Sequence, residues 1–305
     1  MHMEKPEESA LVFDIEKFAL HDGPGVRTVV FLKGCPLHCL WCHNTESQSF
    51  KPEIMFRRDK CISCGFCVSV CPQHCHKLEG GKHSFDHENC TGCGKCPEKC
   101  FSGALKTAGR NMSVSQVLES VMKDQAFYDH SGGGLTLSGG EPLAHFEFVL
   151  ALLREAQKRG LHTAVETSGF APWEKINAVR PFVDLWLWDV KASKERHQDL
   201  TGVPADPILA NLRRLDESGA NIILRCPLVP EKNDRNADLL QIAGLANSLK
   251  SVVEIDLEPY HPLGESKSEQ LGRKMIFHSG FVSEERKKHW VDFLKTKTAV
   301  PVYIR

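Results

Sequence analysis

Short apolar runs alternate with longer amphipathic stretches along most of the chain, and each period predicts its own kind of element. Residues 11–18 alternate apolar and polar side chains at period two, the pattern of a half-buried strand. A turn rich in structure breakers, His21-Asp22-Gly23-Pro24-Gly25, separates them from residues 27–32 (RTVVFL), a β-branched run suited to a fully buried parallel strand. Val114, Val117, Leu118, Val121 and Met122 recur at helical spacing, and a turn of three glycines then leads to a short strand at 135–137. Residues 145–158 read as a helix, with Gly160 placed as its C-cap. Further strands are predicted at 161–165, 183–188, 221–224 and 252–257, with helices at 208–217 and 237–248 among them.

Strands alternating with helices imply parallel β/α units. Six such strands fall short of the usual eight, so the expected α/β fold is an incomplete (β/α)6 TIM-like barrel. Polar, titratable or glycine residues follow every strand: Cys35, then 139–141, 166–168, 189–191, Arg225 and His261. In β/α barrels the active site is assembled from loops at those strand ends.

Charge excludes some partners. A net charge of −1 gives no electrostatic case for nucleic acid or an anionic membrane surface. The first eight residues are too acidic and polar for a signal peptide, and no apolar run is long enough to span a bilayer. Twelve of the thirteen cysteines lie between residues 35 and 100, which reads as metal ligation in a reducing cytoplasm. The thirteenth, Cys226, reads as a buried core thiol.

Cys35, Cys39 and Cys42, spaced C-x3-C-x2-C after the 27–32 strand, offer three thiolates where a closed zinc or ferredoxin site takes four. Spacing alone leaves open a structural zinc loop with a distant fourth ligand. From about residue 51 to 109 the composition changes. Cys61-x2-Cys64-x2-Cys67-x3-Cys71-Pro72 recurs 29 residues later as Cys90-x2-Cys93-x2-Cys96-x3-Cys100, with Phe101 where proline is expected. This duplicates the bacterial ferredoxin spacing, in which the fourth cysteine of each run ligates the other cluster. Cys61, Cys64, Cys67 and Cys100 are then expected on one 4Fe–4S cluster, and Cys90, Cys93, Cys96 and Cys71 on a second, with Cys75 a spare thiol. The expected division is 1–52 and 109–305 for the barrel and 53–108 for a ferredoxin-like insertion.

The three-cysteine loop with Trp41, His43 and Asn44, the segment His21 to Thr28, and Gly139-Gly140-Glu141-Pro142 together resemble a radical S-adenosylmethionine (SAM) protein of the glycyl-radical enzyme activating type. The likeness covers nearly the whole chain and includes the two-cluster insertion. It implies a cytoplasmic oxidoreductase of anaerobic metabolism that cleaves SAM to methionine and a 5′-deoxyadenosyl radical. That radical removes a hydrogen from a backbone glycine of a partner enzyme. Cys35, Cys39 and Cys42 would hold a cluster whose open iron chelates SAM. Trp41, Asn44 and His261 would lie near the nucleoside, Gly139, Gly140 and Glu141 near the SAM ammonium, and Glu166 and Ser168 near the ribose. Lys191 and Arg225 would pair with the SAM carboxylate. A monovalent cation would sit beside it, held by Glu166, Thr167 and Asp189. Asp22 would help seat the partner's glycine loop, and a flavodoxin or ferredoxin would donate electrons, relayed by the two inserted clusters.

Two rivals remain: a radical SAM peptide maturase, and an electron carrier made of a ferredoxin module on an inert barrel. A carrier needs neither an open iron nor an amino-acid-binding strand end. Maturases with extra clusters commonly place the added cysteines C-terminally, and here no cysteine follows Cys226.

Overall fold

A computed structural model describes residues 7–274 and 277–305, so most of the polar N-terminal stretch read against a signal peptide lies outside the described residues. Strands β1 (Ser9–Ala19) and β2 (Arg27–Leu32) come first; β3 (Glu53–Phe56), β4 (His76–Glu79), β5 (Lys82–Phe85) and β6 (Leu105–Ala108) belong to the cysteine-rich segment. Then follow β7 (Arg110–Ser113), β8 (Gly134–Gly139), β9 (His162–Thr167), β10 (Leu185–Asp189), β11 (Ile222–Leu228), β12 (Val252–Pro259) and β13 (Val302–Ile304).

The main sheet is open and nine-stranded among the described residues, in the order β13-β12-β11-β10-β9-β8-β2-β1-β7. From β2 to β13 every neighbouring pair is parallel, while β1 and β7 add antiparallel at the other edge. Each predicted strand is present. The structure adds a seventh parallel strand, β13, delivered by a helix at Glu284–Lys295 that the apolar pattern did not announce. Only Trp290 and Leu294 of that helix are buried, too sparse a stripe to show a period.

Helices cover the sheet where their apolar stripes require it. Val114–Met122 buries Val114, Val117, Leu118 and Val121, and starts in a capping box between Ser113 and Gln116. Phe146–Lys158 buries Phe148, Val149, Leu152, Leu153 and Ala156; past its C-cap, Arg159, Gly160 supplies the left-handed residue at φ +72°. These faces meet Val30, Leu32, Leu137, Val165, Trp186, Trp188 and Leu224 in one continuous core, which also contains the fully buried Cys226.

The segment 53–108 leaves the sheet and returns to the same place. β3 and β6 pair antiparallel from Glu53↔Ala108 to Phe56↔Leu105, closing the excursion at its base, and β4–β5 form a separate hairpin. Its own core is small: Ile54, Phe56, Phe85, Ala104 and Leu105 pack with Cys67, Cys75 and Cys96. So few apolar side chains leave such a segment dependent on cross-links or metals. The buried Lys33 ammonium fastens its base, donating to the Glu46 carbonyl and to Glu53 (2.7 Å), while Arg273 holds the other Glu53 oxygen at 2.6 Å.

At the opposite edge the C-terminal strand is clasped by Arg305, which donates to Asp256 (3.0 Å) and Glu254. Burial and the adjacent Glu254 raise the Asp256 pKa from 3.8 to about 7. Stability from this group is complete below about pH 4 and is lost as pH climbs through 7, because the folded state holds the proton more tightly than the unfolded chain. Asp256→Asn is therefore expected to gain stability relative to the parent as pH rises from about 4 to about 8 in denaturant titrations. A difference independent of pH would show Asp256 ionised throughout.

Candidate active site

The parallel strands all end at one rim, and the cysteine loop begins there. Leu37 and Trp41 anchor that loop in the core, both 5% exposed or less. Its backbone is stitched outward, with His38 N donating to the Thr201 carbonyl at 2.7 Å and Leu40 N to that of Leu200 at 3.1 Å. Cys35, Cys39 and Cys42 thus stand half-buried and close enough for their charges to interact, none of them in a disulfide. Burial raises all three thiols, Cys39 to about 12 even with the Lys191 ammonium opposing the shift. Thiols so placed become thiolates only when a cation joins them, which is what iron supplies.

Beside them β8 ends in Gly139 and Gly140, and here the absence of a side chain is required. A Cβ on Gly139, at φ +118°, would lie 2.3 Å from the Leu32 carbonyl oxygen; one on Gly140 would lie 2.3 Å from that of Gly34. The closeness is used. Gly140 N donates to Leu32 O at 2.7 Å and Glu141 N to Gly34 O at 2.9 Å, joining the β8 end to the backbone that enters Cys35.

Glu141 is 1% exposed, and its carboxylate accepts from Leu143 N (3.1 Å), Thr167 Oγ1 (2.7 Å), Ser168 N (3.0 Å) and Ser168 Oγ (2.5 Å). The sequence reading gave Glu141 to the SAM ammonium and Ser168 to the ribose. In the structure each is a partner of the other, tying the β8 end to the β9 end.

The remaining strand ends converge on a charged group. Arg225 pairs with Asp22 (3.1 Å), Glu166 (3.3 Å) and Glu258, and Lys191 pairs with Asp189 at 2.8 Å. Oxygens of Glu166, Asp189 and Glu258 lie within 4.8 Å of one another. Four carboxylates therefore face two cations. Burial pushes Asp22 and Asp189 up, and Glu258 to about 7. The site favours further positive charge, such as a sulfonium, an ammonium or an alkali cation.

On the far side of Cys42, His261 stacks on His43 with ring centroids 4.0 Å apart and planes 15° from parallel. His43 Nε2 and His261 Nδ1 are buried without a hydrogen-bond partner among the described residues, which marks polar atoms awaiting a ligand. Asn44 is held by Lys267 at 3.1 Å.

Several contributors escaped the sequence reading. Glu258 was passed over in favour of His261, although its place in the last residues of β12 was the available signal. Ser138, which donates to Glu166, and Asn233 gave no signal; Asn233 Nδ2 donates to the Lys191 carbonyl (2.7 Å) and the Pro227 carbonyl (2.6 Å), fixing the loop that carries Lys191.

In the 53–108 segment, two cavities separate the remaining cysteines. One is lined by Cys61, Cys64, Cys67 and Cys100, the other by Cys71, Cys90, Cys93 and Cys96, with Cys96 bordering both. Cys75, expected as a spare thiol, stands in the wall of the second cavity.

A family model described as a 4Fe-4S single cluster domain matches residues 21–200. The isethionate sulfite-lyase activating enzyme of Nitratidesulfovibrio vulgaris is 43% identical over 274 residues, 87% of this chain and 89% of that one. The choline trimethylamine-lyase activating enzyme of Oleidesulfovibrio alaskensis is 42% identical over 276 residues, covering 87% and 88%. The benzylsuccinate synthase activating enzyme of Thauera aromatica is 40% identical over 282 residues, covering 90% and 85%. The chain belongs to the glycyl-radical enzyme activating enzymes. Its activity is therefore that of a radical SAM oxidoreductase acting on a glycyl-radical enzyme. Among solved structures, a radical SAM methyltransferase from Sphaerobacter thermophilus matches 96% of this chain and 76% of its own, with a TM-score of 0.54 at 16% identity, a likeness of fold. No helix among the described residues is long and apolar enough to cross a membrane.

The joint at Glu141 is directly testable. Glu141→Gln turns one acceptor oxygen into a donor facing donors, and is expected to lower unfolding stability by about 1–3 kcal/mol. Thr167→Val removes one donor and should lower it by about 1 kcal/mol. Unchanged stability in Glu141→Gln, with weakened SAM binding, would instead place that carboxylate on the substrate.

Proposed function

We propose that this activase works with three 4Fe–4S clusters in a partial (β/α)6 barrel whose insertion, 53–108, carries two of them. The observation that carries this reading is the meeting of three half-buried thiols, none in a disulfide, with a glycine strand end and a carboxylate-rich rim. Cys35, Cys39 and Cys42 would hold the cluster with the open iron. Bound there, a reduced cluster supplies the electron that cleaves SAM to methionine and a 5′-deoxyadenosyl radical, which takes a hydrogen atom from the partner's glycine.

The protein's own part is to bind, orient and exclude water. Gly139 and Gly140, without side chains, would let the SAM ammonium approach the backbone closely. Among the described residues Lys191 has a single carboxylate ion-pair partner, Asp189, which would leave donors for the SAM carboxylate. Arg225 has three carboxylate partners, so holding Asp22, Glu166 and Glu258 in place is its larger contribution. Glu166 and Asp189, with Thr167 beside them, would favour a monovalent cation next to SAM. The His43–His261 stack, with Asn44 and Trp41 behind it, forms the nucleoside wall. Each cavity offers the four thiols of a closed cluster, Cys61, Cys64, Cys67 and Cys100 on one, Cys71, Cys90, Cys93 and Cys96 on the other, and the two would relay electrons from a flavodoxin or ferredoxin in the cytoplasm.

The partner is a glycyl-radical enzyme, and similarity of 40–43% to activases of a sulfite-lyase, a trimethylamine-lyase and a benzylsuccinate synthase does not separate their classes. Mixing this protein, SAM and reductant with each candidate and recording the radical by electron paramagnetic resonance identifies it.

Replacing Cys35, Cys39 and Cys42 together by alanine is expected to abolish deoxyadenosine formation while leaving the iron of the insertion in place. Deoxyadenosine formed by the purified triple variant would remove the open cluster from this loop. Asp22→Ala is expected to lower glycyl-radical yield more than SAM cleavage if, as the family resemblance implies, Asp22 helps seat the partner's glycine loop. Equal losses would show that Asp22 serves only Arg225.

A further inference from the structure

The two cysteine runs of the insertion are copies of one spacing, yet their surroundings differ. At the first cavity stands His83, which belongs to neither run. Its Nδ1 lies 3.2 Å from Cys61 Sγ and its Nε2 lies 3.5 Å from Cys67 Sγ and 2.9 Å from His76 Nδ1. His76 reaches the wall of the second cavity, but among the described residues no imidazole nitrogen lies within hydrogen-bond distance of a thiol of the second run; there the additional group is Cys75, whose backbone N–H donates to Cys71 Sγ at 3.3 Å.

Chemistry fixes the protons. A cluster-bound Cys61 is a thiolate and only accepts, so the nitrogen facing it, Nδ1 of His83, must carry its hydrogen. In a neutral His83 the bare Nε2 accepts from the Nδ1–H of His76, the nearer of its two neighbours at 2.9 Å, and makes no hydrogen bond to the Cys67 sulfur at 3.5 Å. That leaves His76 Nε2 as the lone pair without a partner, and it is indeed buried with none among the described residues. An orphaned acceptor is the cheaper of the two possibilities. The two rings are held in register by aromatic packing, His76 stacked on Phe85 at 4.4 Å and His83 against Phe56 at 4.5 Å.

The geometry points to His83 as a positioning residue that donates a hydrogen bond to a thiolate of the first inserted cluster, raising its reduction potential above that of its duplicate. Hydrogen bonds to cluster sulfurs stabilise the more negative, reduced state, and are among the determinants of potential in such centres. His76 acts behind it by fixing the tautomer. The two clusters are thereby made unequal by one ring outside the repeated motif. This rests on the reading that the insertion holds two clusters.

The test uses the full chain with Cys35, Cys39 and Cys42 replaced by alanine, so that only the inserted clusters contribute. Its midpoint potentials are followed by electron paramagnetic resonance during a reductive titration. His83→Phe keeps the packing and is expected to lower one midpoint while leaving the other unmoved. His83→Gln, which keeps an N–H donor, should recover much of the parent value, and His76→Phe should lower the same midpoint by less. Adding Cys93→Ala, which removes the second cluster, must leave the responsive signal in place. Full iron content with neither midpoint moved in His83→Phe overturns the proposal. So does loss of about four irons per chain in that variant, which would make His83 a ligand. If the parent background binds no iron, the two-cluster reading falls as well; if it binds about eight irons and the midpoints stay put, only the role of His83 falls.

Discussion

The site depends on a backbone contact that no side chain could share. Where β2 and β8 end, the carbonyls of Leu32 and Gly34 receive the amides of Gly140 and Glu141, and a Cβ at either glycine would stand 2.3 Å from a carbonyl oxygen. This brings the cysteine loop and the glycine strand end to one rigid edge. Glu141 extends the same edge to β9 through Thr167 and Ser168. Three strand ends are therefore positioned as one unit before any cofactor arrives, which is the preorganisation that radical chemistry needs to keep its intermediates from solvent.

Around that unit the fold places more negative charge than it neutralises. Among the described residues Asp22, Glu166, Asp189 and Glu258 have only Arg225 and Lys191 as ion-pair partners, and burial makes the imbalance costly. The thiols meet the same cost on ionising, since burial holds them in the neutral form. Both are relieved by one kind of guest, a cationic substrate on a cluster of iron. Binding energy at such a site comes largely from correcting an electrostatic defect that the empty protein must tolerate.

Much of this arrangement was legible in the sequence. The parallel strands announced themselves as β-branched runs, and the polar or glycine residue after each one located the rim. Short edge elements were not legible: β7 and β13 have four and three residues, and the Glu284–Lys295 helix buries two side chains. Pairings across the chain were equally hidden. A glutamate in a Gly-Gly-Glu-Pro segment reads as a charge offered to a ligand, and nothing in the string shows that Ser168, 27 positions away, will occupy it. His83 gave no signal at all, since it lies in a hairpin between the two cysteine runs and gains its meaning only when β4 and β5 fold back onto Cys61.

The base of the 53–108 excursion has an evolutionary consequence. Because β3 and β6 meet rung for rung, Glu53 opposite Ala108, the whole cysteine-rich cassette enters and leaves through a single doorway. A gene could lose it and leave two chain ends already side by side. Two residues outside the cassette would record the loss, Lys33 and Arg273, which share the Glu53 carboxylate. Lys33 is wholly buried and has no other carboxylate in an ion pair among the described residues, so a shortened descendant would inherit a cation with no counter-charge. Trimming the cassette is therefore expected to go with a neutral residue at position 33.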